Sequence, residues 1–182
     1  INLCRENKID KLNIIAFSKG GLDSRRAAHE PGTASLVASI TTVSTPHRGT
    51  PAADFFSTFP LTSNRYMESF MNTVAGIAGD EQQDFIEAVK QLGVDEMTLF
   101  NKKYPDIPGI EYYSFSALMK SDDYHFAFSI LREYINYHKG DNDGLIPVSS
   151  ARWGNYLGTA NAFMNFNGSL NHPDLVGLDI YP

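Results

Sequence analysis

Residues 12–26 read LNIIAFSKGGLDSRR, a β-type apolar run that stops at one serine and resumes, after two glycines, as an amphipathic segment. That is the form of a nucleophile elbow, the strained strand-to-helix turn that lifts a serine hydroxyl clear of a sheet. The turn closes, and substrate approaches, only if the residues two positions either side of the serine are nearly free of side chain. Here they are Ala16 and Gly20, where the usual G-x-S-x-G pattern has glycine at both. One extra methyl still allows the turn, which makes Ser18 the candidate nucleophile. On these residues alone, a surface Ser-Lys-Gly-Gly loop reads equally well.

Two later stretches supply the partners that a serine nucleophile needs. Asp143 lies in GDNDGLIP, where a turn-prone cluster precedes Leu145 and Ile146 and sets the carboxylate in a loop at the edge of an apolar run. His172 lies in NGSLNHPDLVG, near the end of the chain. The order Ser, Asp, His is the order of the triad in α/β-hydrolases, and other serine hydrolase folds present the same groups in different orders. Order alone discriminates poorly, because any acidic chain offers it. The sequence around all three residues discriminates better.

That surrounding sequence resembles the bacterial family I true lipases, triacylglycerol lipases of the α/β-hydrolase superfamily. VASITTVSTPHRGTPAADF at 37–55 is similar to the strand and loop after the family's elbow helix, with TPHRG from Thr45 to Gly49. LFNKKYPDIPGIEYYSFSA at 99–117 resembles the family's segment after its lid, GDNDGLIPVSS its catalytic-aspartate loop, and NHPD its catalytic-histidine segment. The resemblance runs from about residue 10 to residue 175 and is weakest over 56–98 and 118–140. It implies an α/β-hydrolase fold with a central, mostly parallel sheet and a helical lid region, forming one domain over 1–182 with a lid insertion at about 56–98. It also implies hydrolysis of lipid carboxylic esters at a lipid–water interface and an extracellular location.

Ser18, Asp143 and His172 would then form the triad. The backbone N–H of Lys19 would serve the oxyanion, and no cofactor would enter the chemistry. Several relatives hold a structural calcium near the catalytic histidine with two aspartates and carbonyls, and the resemblance places these at Asp174 and Asp123. Hard oxygen ligands of that kind suit calcium. The SDDYHF stretch around Asp123 reads equally well as a helix N-cap. Two positions depart from the family: Phe17 stands where histidine usually precedes the nucleophile, and Lys19 adds a charge beside it. Neither removes a catalytic atom. The rival readings are an acyltransferase or short-chain esterase with the same triad, and a non-catalytic binding protein on the same fold.

Composition bounds the remaining possibilities. With 42% apolar and 20% charged residues over 182 positions, a single domain with a sizeable core is expected. A net charge of −6 argues against nucleic acid. No run approaches the roughly 18–20 apolar residues of a membrane span, so membrane contact is expected to be peripheral. Cys4 is the sole cysteine and forms no internal disulfide. The chain opens without methionine on what reads as the second half of a helix, and it lacks an HG-type loop that would supply a second oxyanion amide. The expectation is that the N-terminal strands are missing and that an upstream segment of the same protein completes the fold.

Periodicity predicts helix over 1–9, a buried parallel strand over 11–17, the elbow helix over 20–29 and a second strand over 36–44. Helices are expected at 51–57, 64–78, 80–92, 95–103 and 122–137, with Asp80 and Asp95 as N-caps, and a strand at 111–117. Within YMESFMNTVAGIAG at 66–79, apolar residues from Met67 to Ala78 repeat every three or four positions, which suits either a lid face or ordinary core. His47 is expected to be a structural hydrogen-bonding residue, Arg48 to anchor its loop through an ion pair, and Asp23 to pair with Arg25.

Overall fold

A computed structural model describes residues 4, 6–58, 91–120, 126–160 and 169–177 of the chain. Four strands form one sheet in the order β1-β2-β3-β4, every neighbouring pair parallel: β1 (Leu12–Phe17), β2 (Val37–Val43), β3 (Glu111–Ala117) and β4 (Asn155–Ala160). Parallel neighbours require crossover connections, and helices supply them. The elbow helix α1 (Lys19–Ala28) links β1 to β2. Helices α2 (Ala52–Thr58) and α3 (Val94–Lys103) lie between β2 and β3, and α4 (Phe126–Lys139) and the single turn α5 (Val148–Ala151) between β3 and β4. This is the sheet and helix alternation of an α/β-hydrolase, and all strands run toward one edge, where the loops gather.

The β-branched run VASITTV suits β2 to an internal place in the sheet, between β1 and β3, with Ile40 and Val37 buried. They pack with Ala28 of α1, Ile110, Tyr112 and the half-buried Ile14 and Trp153 in one cluster. A second cluster lies beyond the strand ends. Phe55 and Phe56 of α2 meet Phe128, Leu131 and Ile135 of α4 and Leu145 and Ile146 of the Asp143 loop. The α4 stripe follows helical spacing, and it buries the back of that loop.

The expected elements lie close to the observed ones at 11–17, 20–29, 36–44, 51–57, 95–103 and 111–117. Helix 122–137 is α4, which runs to Lys139. Asp95 is not an N-cap: Gly93 holds that position, and Asp95 sits in the first turn, where its charge still complements the helix dipole. Strand β4 was not anticipated, because NYLGTA carries too few β-branched residues to mark it. The lid stripe at 66–79, the expected helices at 64–78 and 80–92 and the cap at Asp80 lie outside the described residues.

Trp153 joins β3 to the start of β4 through Ser114, whose hydroxyl accepts from the Trp153 N–H at 2.8 Å and donates to its carbonyl at 2.7 Å. The chain then turns at Gly154 with φ +54°, where an added Cβ would lie 2.4 Å from the Tyr112 carbonyl oxygen. Both the backbone angle and the rigid neighbour exclude a side chain. Gly154→Ala is therefore expected to lower the unfolding free energy by about 1–3 kcal/mol. Denaturant titration measures this, and an unchanged midpoint would contradict the packing.

Candidate active site

Ser18 follows the last residue of β1 and precedes the first of α1, with φ 52° and ψ −134°. Its N–H bonds the Val43 carbonyl at 2.9 Å, extending the sheet ladder by one residue, and its carbonyl accepts the Thr45 hydroxyl at 2.7 Å. The positive φ costs free energy for a residue with a Cβ, and these bonds hold it in place. The steric demand of the turn falls on Gly21 rather than Gly20. A Cβ on Gly21 would lie 2.2 Å from the Thr45 hydroxyl oxygen, whereas one on Gly20 meets no heavy atom of the described residues within 4 Å. Close approach of α1 to β2 thus depends on the second glycine of the pair.

The structure brings Ser18, His172 and Asp143 together across 154 and 29 positions of sequence. Imidazole Nδ1 lies 2.6 Å from Asp143 Oδ2, and Nε2 lies 2.9 Å from Ser18 Oγ. An ionised carboxylate only accepts, so Nδ1 carries the proton and Nε2 presents a lone pair to the serine hydroxyl. The Phe17 ring packs against the imidazole with centroids 4.6 Å apart.

Asp143 is fully buried, and burial of a carboxylate is tolerable only when donors surround it. Four do. Oδ1 accepts the N–H groups of Leu145 at 3.0 Å and Ile146 at 2.7 Å, while Oδ2 accepts from His172 and from the Ser44 hydroxyl. The DNDG turn supplies the first two donors locally, with Gly144 at φ +89° against Met119 and Phe128. The chain beyond β3 ties the Asp143 and His172 loops together: Met119 N–H bonds the Asn142 carbonyl, Leu170 N–H bonds the Leu118 carbonyl, and His172 N–H bonds the Asp143 carbonyl. Lys19 opens α1, so its N–H belongs to the first turn, whose amides lack intrahelical partners. Its side chain reaches Asp23 at 2.8 Å on the surface.

Asp23 therefore pairs with Lys19, and the expected Asp23–Arg25 pair does not form. Arg25 is buried and reaches the other way, donating to Asn101 Oδ1 and the Tyr104 carbonyl at 2.9 Å each and to His47 Nδ1 at 3.2 Å. Its guanidinium lies 3.9 Å from the centre of the Trp153 ring. Burial pulls its pKa down to about 10, opposed by the Asp106 carboxylate, and it remains cationic at neutral pH. Arg48 makes no ion pair either among the described residues: it donates to the Ser149 and Arg152 carbonyls, which cap the end of α5. His47 is the structural residue expected of it. Because Arg25 only donates, Nδ1 accepts and Nε2–H donates to the Thr42 hydroxyl at 2.9 Å, which passes a bond to the Tyr113 carbonyl. Burial first, then the charges of Arg25 and Arg48, hold the His47 pKa well below 6.5.

The expected calcium ligands are not brought together within the described residues. Asp123 lies outside them, and no group of three or more His, Cys, Asp or Glu suited to a metal occurs among them. Asp174 Oδ2 accepts the Asn171 N–H at 3.0 Å, which shapes the turn that presents His172. The sequence reading gave Arg25 the wrong partner and missed the roles of Ser44 and Thr45. Ser44 precedes the TPHRG stretch and Thr45 opens it, but nothing in their local pattern marks partners 99 and 27 positions away.

No protein-family model matches the chain. Triacylglycerol lipase 2 of Saccharomyces cerevisiae is 31% identical over 156 residues, which is 85% of this chain and 44% of that protein. A triacylglycerol lipase of Pseudarthrobacter phenanthrenivorans is 36% identical over 104 residues, 52% of this chain and 32% of that one. The chain thus spans less than half the length of these two curated relatives. Among solved structures, the mature form of Bacillus licheniformis lipase BlEst2 superposes with a TM-score of 0.65 at 23% identity, covering 94% of this chain and 62% of that one.

The neutral His47 carries a pH signature. Its folded pKa is depressed, so below about pH 6.5 the unfolded chain binds a proton that the folded chain refuses, and stability falls as pH falls. The loss is expected to approach about 1.4 kcal/mol per pH unit just below the ordinary pKa of histidine. Denaturant unfolding of His47→Gln should show a shallower decline over pH 4.5–6.5; an identical slope would remove His47 as the cause.

Proposed function

The chain belongs to the triacylglycerol lipase family of α/β-hydrolases, and from that premise we propose that it hydrolyses carboxylic esters of lipids through a Ser18–His172–Asp143 triad and an acyl-enzyme. The observation that carries this reading is the continuous chain from Asp143 Oδ2 through the imidazole to Ser18 Oγ, with links of 2.6 and 2.9 Å. Such links lie within the reach that proton transfer needs.

In the proposed reaction Ser18 Oγ attacks the ester carbonyl carbon while His172 Nε2 takes its proton. Asp143 stays ionised, holds the Nδ1–H tautomer and stabilises the imidazolium. The Lys19 N–H donates to the tetrahedral oxyanion. His172 returns the proton to the departing alkoxide, leaving an acyl-serine. Water, deprotonated by His172, then attacks that acyl group, and the fatty acid leaves with Ser18 restored. The substrate is met at a lipid–water interface, and a lid over about 56–98 and an extracellular location belong to the same proposal. No described helix is long and apolar enough to cross a membrane.

Fluorophosphonate labelling followed by mass spectrometry is expected to find the adduct on Ser18, and to lose it in Ser18→Ala and His172→Ala. Asp143→Asn should retain the fold and lose about four orders of magnitude in kcat. Folded protein that takes no label would overturn the mechanism in favour of a binding role. A series of ester chain lengths separates a lipase from a short-chain esterase.

A structural calcium held by Asp174, Asp123 and backbone carbonyls is the remaining part of the proposal. Its support is the position of Asp174 in the turn behind His172, where a bound cation would stiffen the catalytic loop. Calcium is expected to raise the melting temperature and Asp174→Asn to abolish that rise; equal melting with calcium and with chelator would exclude the site.

A further inference from the structure

Ser44 follows the last residue of β2 and is fully buried. Its N–H continues the ladder to the Phe115 carbonyl at 2.9 Å, yet its φ is +47°. In a regular strand residue 44 would share the face of Thr42, whose hydroxyl meets His47. The left-handed turn redirects the side chain, and its hydroxyl donates instead to Asp143 Oδ2, the same oxygen that accepts the His172 Nδ1–H. The next residue, Thr45, donates to the carbonyl of Ser18. Two consecutive hydroxyls thus hold the acid and the nucleophile turn from one corner.

A non-glycine residue in this region is strained, and glycine would adopt it freely. Serine at this position therefore costs stability that glycine would not, and what it brings in exchange is the hydroxyl. Resting on the triad reading above, we propose that Ser44 is a positioning residue for the reaction, fixing which Asp143 oxygen faces His172 and at what angle. Without the hydroxyl, Oδ2 keeps a single donor while Oδ1 keeps two, and the carboxylate is held less firmly about its Cβ–Cγ bond in the line between Nδ1 and Ser18. A hydrogen bond to a charged group of this kind is worth roughly ten- to a hundredfold in an equilibrium or rate.

The test compares Ser44→Ala and Ser44→Gly with the unaltered protein. Four quantities are read: kcat and KM on a soluble short-chain ester, the thermal midpoint, and the downfield proton resonance of the His172 Nδ1–H. The expected result is a kcat lower by about ten- to a hundredfold in both variants with KM within about twofold, and a displaced or lost resonance. Ser44→Gly relieves the left-handed strain as it removes the donor, and a cooperative melting transition well above the assay temperature shows that its slowing is not a folding defect. Unaltered kcat and resonance in Ser44→Gly would reduce Ser44 to a filler of space and overturn the proposal. Ser18→Ala separates this failure from that of the triad: if it keeps full activity the triad reading falls, and the resonance, read without turnover, still decides whether Ser44 sets the Asp143–His172 pair.

Discussion

A carboxylate with no exposure to water is costly, and the end of the sheet that holds Ser18 is organised around meeting that cost at Asp143. Its four donors come from three separate stretches: the turn after it, the corner after β2, and the loop of His172. The corner after β2 is bonded to β3 at Phe115 and the other two stretches to Leu118 and Met119 just beyond it, so the donors converge only when β2 and β3 are in register. Thr50 adds a further tie, donating to the Leu145 carbonyl at 2.6 Å and fastening the Asp143 loop to the chain before α2. Catalytic geometry and folded stability are therefore coupled. Losing one donor both loosens the imidazole and leaves charge buried without full compensation.

A second buried polar centre lies behind the first and has a different task. Arg25 reaches from α1 to α3 and the segment after it, while its guanidinium stacks on Trp153 beside β4. His47, neutral and bonded on both nitrogens, keeps the loop after β2 against this cluster. A cation held by one carbonyl, a side-chain amide, an imidazole and an aromatic face joins the elbow helix to the later elements of the fold. The two clusters meet within four residues of one corner, with Ser44 and Thr45 bonded to Asp143 and Ser18 and His47 to Arg25 and Thr42.

The sequence disclosed what depends on local backbone demands. Ser18 was legible because a strained strand-to-helix turn requires small neighbours, and Asp143 because a turn-prone cluster before Leu145 and Ile146 sets it in a loop at the edge of an apolar run. His172 became legible only through the resemblance of NHPD, since histidine in a loop carries no periodicity of its own. Ser44 and Arg25 were misread or missed for a common reason: their partners lie 99 and 76 positions away, and no local pattern encodes such pairs. The Asp23–Arg25 pairing failed because residues two apart on a helix point in different directions, whereas Lys19 and Asp23, four apart, share a face. Strand β4 escaped notice because its pairing with β3, not its composition, makes it a strand.

The proposed convergence of Ser18, His172 and the Lys19 amide on one reacting centre is tested most directly by a crystal structure of the protein after reaction with a phosphonate ester. Expected are phosphorus bonded to Ser18 Oγ, one phosphonyl oxygen within hydrogen-bonding distance of the Lys19 N–H, and His172 Nε2 beside the remaining ester oxygen. Phosphorus on any other residue, or an adduct on Ser18 whose oxygen points away from Lys19, would contradict it.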